Sequence, residues 1–271
     1  HCWVFRKGGN FNPILGSLVY SGFGNTITYI GMFSIFNTKK KLINTGIFNG
    51  ATDWHSHILP GVDDGIPSLE DSLEVLAYYE KIGIREVWLT PHIMEDIPNT
   101  PEELRKRYQE LQEAYQGTVK LNLAAENMMD NLFNERLEAN ELLPIGPKGD
   151  HLLVETSYYQ PPIDLHGTLE RVKEKGYQPI LAHPERYRYM TDIDYDYLYS
   201  KGVKLQMNIV SLAGGYGKSA QEKALMMLSK GYYSFFGSDL HYLPNFQNAI
   251  NTKALKKETV EMLPRIQNII F

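Results

Sequence analysis

From residue 46 onward, short apolar runs alternate with longer helical patterns, and no other feature narrows the choice of fold as far. Seven segments are β-branched, aromatic or apolar enough to be strands: TDWHSHI (52–58), EVWLTPH (86–92), VKLNLAAE (119–126), HLLVE (151–155), QPILAH (178–183), VKLQMNI (203–209) and YSFFGSD (233–239). One helical stretch lies between most of them. The first, 68–82, opens with Ser68 as N-cap and Asp71 three residues on, and sets Leu69, Leu73, Leu76 and Ala77 along one face. Gly83, Gly117, Gly176, Gly202 and Gly231 each stand where a helical pattern stops, as left-handed C-caps do. Strands joined by helices pair in parallel, because the crossover needs a dozen or more residues. Seven such units predict an α/β fold closed or nearly closed into a barrel, with a doubly wound open sheet as the alternative.

Composition sets the outer limits. With 271 residues, 43% hydrophobic and 22% charged, the chain can build a substantial core, which excludes disordered and fibrous classes. No linker or low-complexity tract divides residues 46–271. Residues 1–31 read differently: Asn12, Pro13, Gly16, Ser17, Gly22, Gly24 and Asn25 interrupt every apolar run well short of the ~20 residues a membrane helix needs. Arg6 and Lys7 ahead of Ile14 resemble a weak signal peptide, but no small-x-small cleavage site follows. Met32 before FSIFNTKKKL reads as a natural start, so residues 1–31 are expected to be a non-native or upstream leader and 32–271 a single domain. A net charge of -5 offers no basic excess for nucleic acid or anionic lipid. The lone cysteine, Cys2, excludes a disulfide scaffold and agrees with a reducing cytoplasm.

The chemistry gathers at strand ends. Strand periodicity of two puts Asp53, His55 and His57 on one face, so both imidazoles can reach one ion. Asp239 and His241 repeat that spacing after the last strand, which in a closed barrel lies beside the first. His92, Glu126, Glu155 and His183 end four further strands, at the carboxyl face where barrel sites are built. A single strand-end histidine is more often a hydrogen-bonded core or rim residue. Six strand ends offering nitrogen and oxygen donors without sulfur point instead to a polynuclear site for Mn, Fe, Zn or Co.

Taken in order, HSHILPGVDDG, TPH, AAE, LLVE, AHPER and SDLH resemble the successive motifs of the polymerase and histidinol phosphatase (PHP) family. Their wording is most similar to the manganese-dependent protein tyrosine phosphatases of bacterial capsule and exopolysaccharide operons. HxH alone is widespread among metallohydrolases; with VDDG and AHPER it is specific. The resemblance implies a distorted seven-stranded TIM-like barrel of PHP type holding three divalent ions, Mn2+ in the first instance. Carried over by motif, His55, His57, Glu126 and Asp239 would hold the first ion. Glu126 would bridge to a second bound by Glu155 and His183, and Asp64, His92 and His241 would hold the third. Arg186 of HPER would contact the substrate phosphate. The choice of Asp64 over Asp63 rests on the motif, since spacing does not separate adjacent carboxylates. Some relatives carry an arginine soon after the last DxH motif, whereas HYLPNFQNAIN (241–251) has none.

On that ligand set, three divalent ions against four carboxylates leave a surplus of about +2, which attracts a phosphomonoester of charge near -2. A hydroxide bridging the metals is the expected nucleophile. A phenolate leaves with little protonation help, so no general acid is assigned. The implied substrate is a phosphotyrosine protein, the tail of a bacterial tyrosine kinase. The competing readings are a histidinol-phosphatase-like phosphomonoesterase and a non-catalytic, metal-bound phosphotyrosine-binding module. A cysteine phosphatase is excluded, because position 8 is Gly8 where a C-x5-R loop starting at Cys2 needs arginine. LAGGYGKS (212–219) imitates a phosphate loop but has Leu212 in place of its first glycine; it reads as a loop at the site mouth, with Lys218 near substrate. Tyr158, Tyr159, Tyr187, Tyr189, Tyr216 and Tyr242 are placed to flank an aromatic ring.

Overall fold

All the predicted strands form, and they pair in parallel around a ring. The computed structural model describes residues 39–268, so the leader expected over 1–31 lies outside the described residues. A short β1 (Lys40–Lys41) precedes β2 (Thr52–Ser56), α1 (Leu69–Ile82), β3 (Glu86–Leu89), β4 (His92–Ile93) and α2 (Pro101–Ala114). Then come β5 (Lys120–Leu123), β6 (Glu126–Met128), α3 (Phe133–Ala139), β7 (His151–Glu155), α4 (Leu165–Glu174) and β8 (Gln178–Ala182). The chain continues through α5 (Asp192–Ser200), β9 (Lys204–Asn208), α6 (Gly217–Lys230), β10 (Tyr233–Gly237), α7 (Leu243–Asn251), β11 (Lys253–Leu255) and α8 (Lys257–Met262). Strands β2-β3-β5 make one sheet and β10-β9-β8-β7-β6-β4 another, while β1 and β11 pair antiparallel on their own.

Two predicted strands are each split, which distorts the barrel. EVWLTPH breaks into β3 and β4 at Thr90–Pro91, where proline supplies no ladder N–H. VKLNLAAE breaks into β5 and β6 at Ala124–Ala125, where the Ala125 amide turns away to the Leu143 carbonyl at 3.2 Å. The two sheets are therefore continuous through these strands. Asp239 N to His55 O (2.8 Å) and His57 N to Leu240 O (3.1 Å) close the ring between the ends of β10 and β2.

Inside the ring, Trp54, Trp88, Ala124, Leu153, Ile180 and Phe235 form a core of their own, separate from the larger layer under the helices. Trp54 and Trp88 stack at 5.9 Å. Ser68 caps α1 as expected, its side chain accepting from the Asp71 amide. The buried face of α1 differs from the sequence reading: it comprises Ser72, Val75, Leu76 and Tyr79, with Leu69 and Ala77 exposed. Polar tips explain the shift, since Tyr79 donates to Asp53 on β2 (2.6 Å) and Ser72 to the Ile58 carbonyl just past the end of that strand (2.6 Å). Gly83, Gly176, Gly202 and Gly231 have positive φ, as caps should, but Gly117 does not. Space is tight there for another reason: a Cβ would crowd the Glu80 carboxylate and the Tyr115 hydroxyl, which are bonded to each other.

Candidate metal centre

Strand register decides which polar groups reach the mouth of the barrel. On β7, Leu153 faces the inner core and Glu155, two residues on, ends the strand; Ala124 stands in the same relation to Glu126. Asp53 departs from the expected common face with His55 and His57. A register shift between Asp53 and Ser56 turns its carboxylate to the Tyr79 hydroxyl and the Ser238 amide (2.7 Å). The two imidazoles turn the other way and converge.

All nine residues expected as ligands lie in one cluster. Their donor atoms form three groups, each within 4.8 Å: His57, Asp64, His92 and His241; His55, Glu126, His183 and Asp239; and His92, Glu126 and Glu155. These differ in detail from the motif-based sets, with His57 beside Asp64, His183 beside His55 and Asp239, and His92 shared. Asp63 stands behind the cluster, its carboxylate 2.8 Å from His57 Nδ1 and also accepting from the His92 and Gly65 amides.

Hydrogen bonds fix how the imidazoles point. His55 Nδ1 is 2.9 Å from Gln206 Oε1, and the Gln206 amide is oriented by donating to the Met207 carbonyl. His57 Nδ1 is held by Asp63. With the Nδ1 atoms as donors, both Nε2 lone pairs point inward, and the two Nε2 atoms are only 3.1 Å apart. Around them stand Glu126 Oε2 (3.1 and 3.3 Å) and Asp239 Oδ1 (3.5 and 3.3 Å). Buried His92 Nδ1, Glu126 Oε2 and Glu155 Oε1 make no hydrogen bond, although His92 Nδ1 lies 3.2 Å and 3.0 Å from the two carboxylates. Buried polar atoms without partners cost about 1–3 kcal/mol each. Lone pairs and carboxylates facing one another in this way fit divalent cations, and the all-nitrogen and oxygen donor set suits the harder first-row metals.

Without a cation, protons do the balancing. Burial opposes a charged His55, yet Glu126 and then Asp239 outweigh it and push the imidazole up to about 9. His57 is raised well above its ordinary range despite burial, chiefly by Asp63, and His92 is raised as well. Burial likewise works against Glu126 and Asp239 as anions, but His55 and His183 hold Glu126 low, and Arg186 and His55 hold Asp239 low. Asp64, at the rim, is lowered to about 2, first by its hydrogen bond with His241. Backbone strain collects here too: His183 (φ 33°) and Asp239 (φ 50°) are two of four non-glycine residues with positive φ among the described residues, and the other two are asparagines.

Arg186 sits at the edge of the cluster, one Nη bonded to Asp239. Its guanidinium carbon lies 4.3 Å from the Tyr158 ring centroid and 4.1 Å from that of Tyr216. Tyr216 also accepts from Asn208 Nδ2 (3.0 Å). The expectation for Lys218 is corrected: its side chain is 87% exposed beside Glu222, and Tyr216 of the same loop is the residue that reaches the site. Of the other tyrosines, Tyr187 stacks behind Tyr158, Tyr189 bonds Thr156, Tyr159 covers Arg188, and Tyr242 lines the cavity. Gln206 and Asn208 were not anticipated. Their signal was two polar residues in alternation at the end of the otherwise apolar VKLQMNI.

The family described as capsular polysaccharide synthesis, CpsB/CapC, matches residues 51–263, which takes in every residue of the cluster. The chain belongs to this family. It is 28% identical over 221 residues to the tyrosine-protein phosphatase YwqE of Bacillus subtilis, covering 78% of this chain and 86% of that one. The putative tyrosine-protein phosphatase CapC of Staphylococcus aureus is 26% identical over 227 residues, covering 80% and 88%. Crystal structures of YwqE and of CpsB from Streptococcus pneumoniae are described as those of metal-dependent tyrosine phosphatases. One of these chains superposes with a TM-score of 0.68 at 26% identity, covering 81% of this chain and 96% of that one. The barrel, the metal-binding character of the mouth and the capsule-synthesis family therefore agree. Among the described residues no helix is long and apolar enough to cross a membrane.

Proposed function

We propose that the chain is a metal-dependent protein tyrosine phosphatase that acts in the cytoplasm on the tail of a bacterial tyrosine kinase governing capsule or exopolysaccharide synthesis. The observation that carries this reading is the pair of inward-facing imidazoles ringed by shared carboxylates, in a chain whose relatives bear that activity. Three Mn2+ ions are the proposed complement, and the three donor groups would hold them; Glu126, with two carboxylate oxygens, could serve two of the groups it falls in, whereas a neutral His92 has one lone pair and would serve one. When bound, such ions supply an activated water at neutral pH and stabilise charge on the phosphoryl oxygens.

The remaining work falls to the protein. Asp63 and Gln206 hold His57 and His55 in the tautomers that leave Nε2 free. Arg186 keeps N–H groups beyond its bond to Asp239, and the flanking rings fix the plane in which those groups meet a phosphate. A phenol with an ordinary pKa of about 10 departs without an enzymic acid. In the test, protein stripped of metal and reloaded with Mn2+ is offered a phosphotyrosine peptide and histidinol phosphate. Turnover of the peptide that vanishes with chelator is expected; preference for histidinol phosphate, or peptide binding without hydrolysis, would overturn the reading.

A further inference from the structure

The cavity at the barrel mouth, about 880 Å³, is lined by rim residues of the metal cluster and Arg186 and also by a set of residues that carry no charge. A pocket of about 300–1,000 Å³ can enclose a whole drug-sized ligand. Its charged lining, Asp64, His92, Arg186, Asp239 and His241, is confined to one end. Along α7 the cavity is lined by Asn245, Asn248 and Ala249, and just past the end of that helix by Thr252. The three helical positions have the i, i+3, i+4 spacing of one helix face, with Thr252 continuing it at the C-cap, while Leu243 and Ile250 anchor α7 in the core. Seven residues of helix rise about 10 Å, the length of about three residues of extended chain. Ala213, Gly214 and Gly215, which carry little or no side chain, also line the cavity. No hydrogen bond from the Asn245 or Asn248 side chain to another protein group is found among the described residues.

Resting on the phosphatase reading, we infer that this stretch is a docking trough for the main chain that flanks the phosphotyrosine of a polypeptide substrate. Asn245 and Asn248 are its specificity-determining side chains. Each carboxamide carries both a donor and an acceptor and so matches the N–H and C=O of a peptide unit. A channel without charge beyond the metal end grips backbone, whatever the neighbouring side chains, and separates protein substrates from small aryl phosphates that occupy only the charged end.

Kinetics of the Mn2+-loaded full chain on two probes test this: a phosphotyrosine peptide extended on both sides, and phenyl phosphate. In the doubly substituted Asn245→Ala, Asn248→Ala protein, two lost hydrogen bonds should raise KM for the peptide roughly tenfold, with kcat and the phenyl phosphate kinetics within about twofold. Asn248→Trp, which fills the trough, should impair the peptide alone. The peptide KM effect should persist in high salt, since no charge is removed. An unchanged peptide KM in both variants, or equal losses on both probes, would overturn the trough while leaving the phosphatase assignment standing. A wild-type protein that hydrolyses neither probe would overturn both.

Discussion

The inside of the barrel has two storeys built by the same strands and opposite in character. The lower is Trp54, Trp88, Ala124, Leu153, Ile180 and Phe235, all apolar and closely packed. The upper holds five imidazoles and four carboxylates, several with atoms that no protein group satisfies. On β7 a single step of two residues, from Leu153 to Glu155, passes from one to the other. The lower storey supplies hydrophobic stabilisation and keeps water from rising through the ring. The upper is costly by itself, and only cations or protons make it tolerable. A barrel interior built for stability alone would continue the apolar stack.

The sharpest way to break this contrast is a crossed pair of substitutions. Glu126→Ala removes the carboxylate shared by two donor groups and should lower kcat/KM on a phosphotyrosine peptide by roughly 10²–10³-fold or more, with the protein still folded by circular dichroism. Leu153→Ala, one storey down, should cost about 3 kcal/mol in urea unfolding and leave kcat within a few-fold at 25 °C. If Leu153→Ala erased activity in a folded protein, or Glu126→Ala left it intact, the division of labour would be wrong.

Much of the upper storey was legible because its histidines and carboxylates stop apolar runs in the sequence, which is a local signal, although only Glu155 ends a strand of the structure: His183 follows β8, and His92 and Glu126 open β4 and β6, the second halves of the split strands. His92, Glu126, Glu155 and His183 gained their meaning from standing together at several such run ends, since any one of them alone reads as a core or rim residue. What was hidden depends on register and on distant partners. The shift between Asp53 and Ser56 that separates Asp53 from the imidazoles follows from how β2 meets β3 and β10, which the local spacing of TDWHSHI does not encode. The breaks at Pro91 and at Ala124–Ala125 look like continuous strands until Leu143 is seen competing for the Ala125 amide. Lys218 drew attention through its charge and its place in a phosphate-loop-like string. Tyr216 was the residue that mattered, because cation–π stacking on Arg186 requires two loops from different strands to meet.

Protons sharpen the comparison at an intermediate level. With His55 raised to about 9 from an ordinary 6.5, the metal-free protein holds the resulting stabilisation in full below about pH 6.5 and loses it as pH climbs through about 9. His57 and His92 are raised too and act in the same direction. Metal must displace those protons, so its apparent affinity rises over the same window. Thermal unfolding in chelator should therefore show a midpoint that falls between pH 6.5 and 9, while the gap to the Mn2+-loaded protein widens. A constant gap would mean that the imidazoles are already unprotonated in the metal-free fold.

The smallest effect expected is at the seam between the cluster and the substrate. Tyr216 stacks on Arg186 at 4.1 Å, and its hydroxyl donates to Asp239, the carboxylate paired with the guanidinium. Loss of the ring removes about 1 kcal/mol of cation–π attraction, and Tyr158 still covers the other side. Tyr216→Leu should thus raise KM for phenyl phosphate roughly fivefold with kcat nearly unchanged, because the arginine would be less often aligned. Tyr216→Phe keeps the π face and loses only the hydroxyl, which accepts from Asn208 and donates to Asp239 (3.3 Å), so it should recover most of the wild-type KM. If Phe and Leu were equally impaired, the hydroxyl and its ties to Asn208 and Asp239 would be what positions Arg186; if neither were impaired, Asp239 and Tyr158 would suffice.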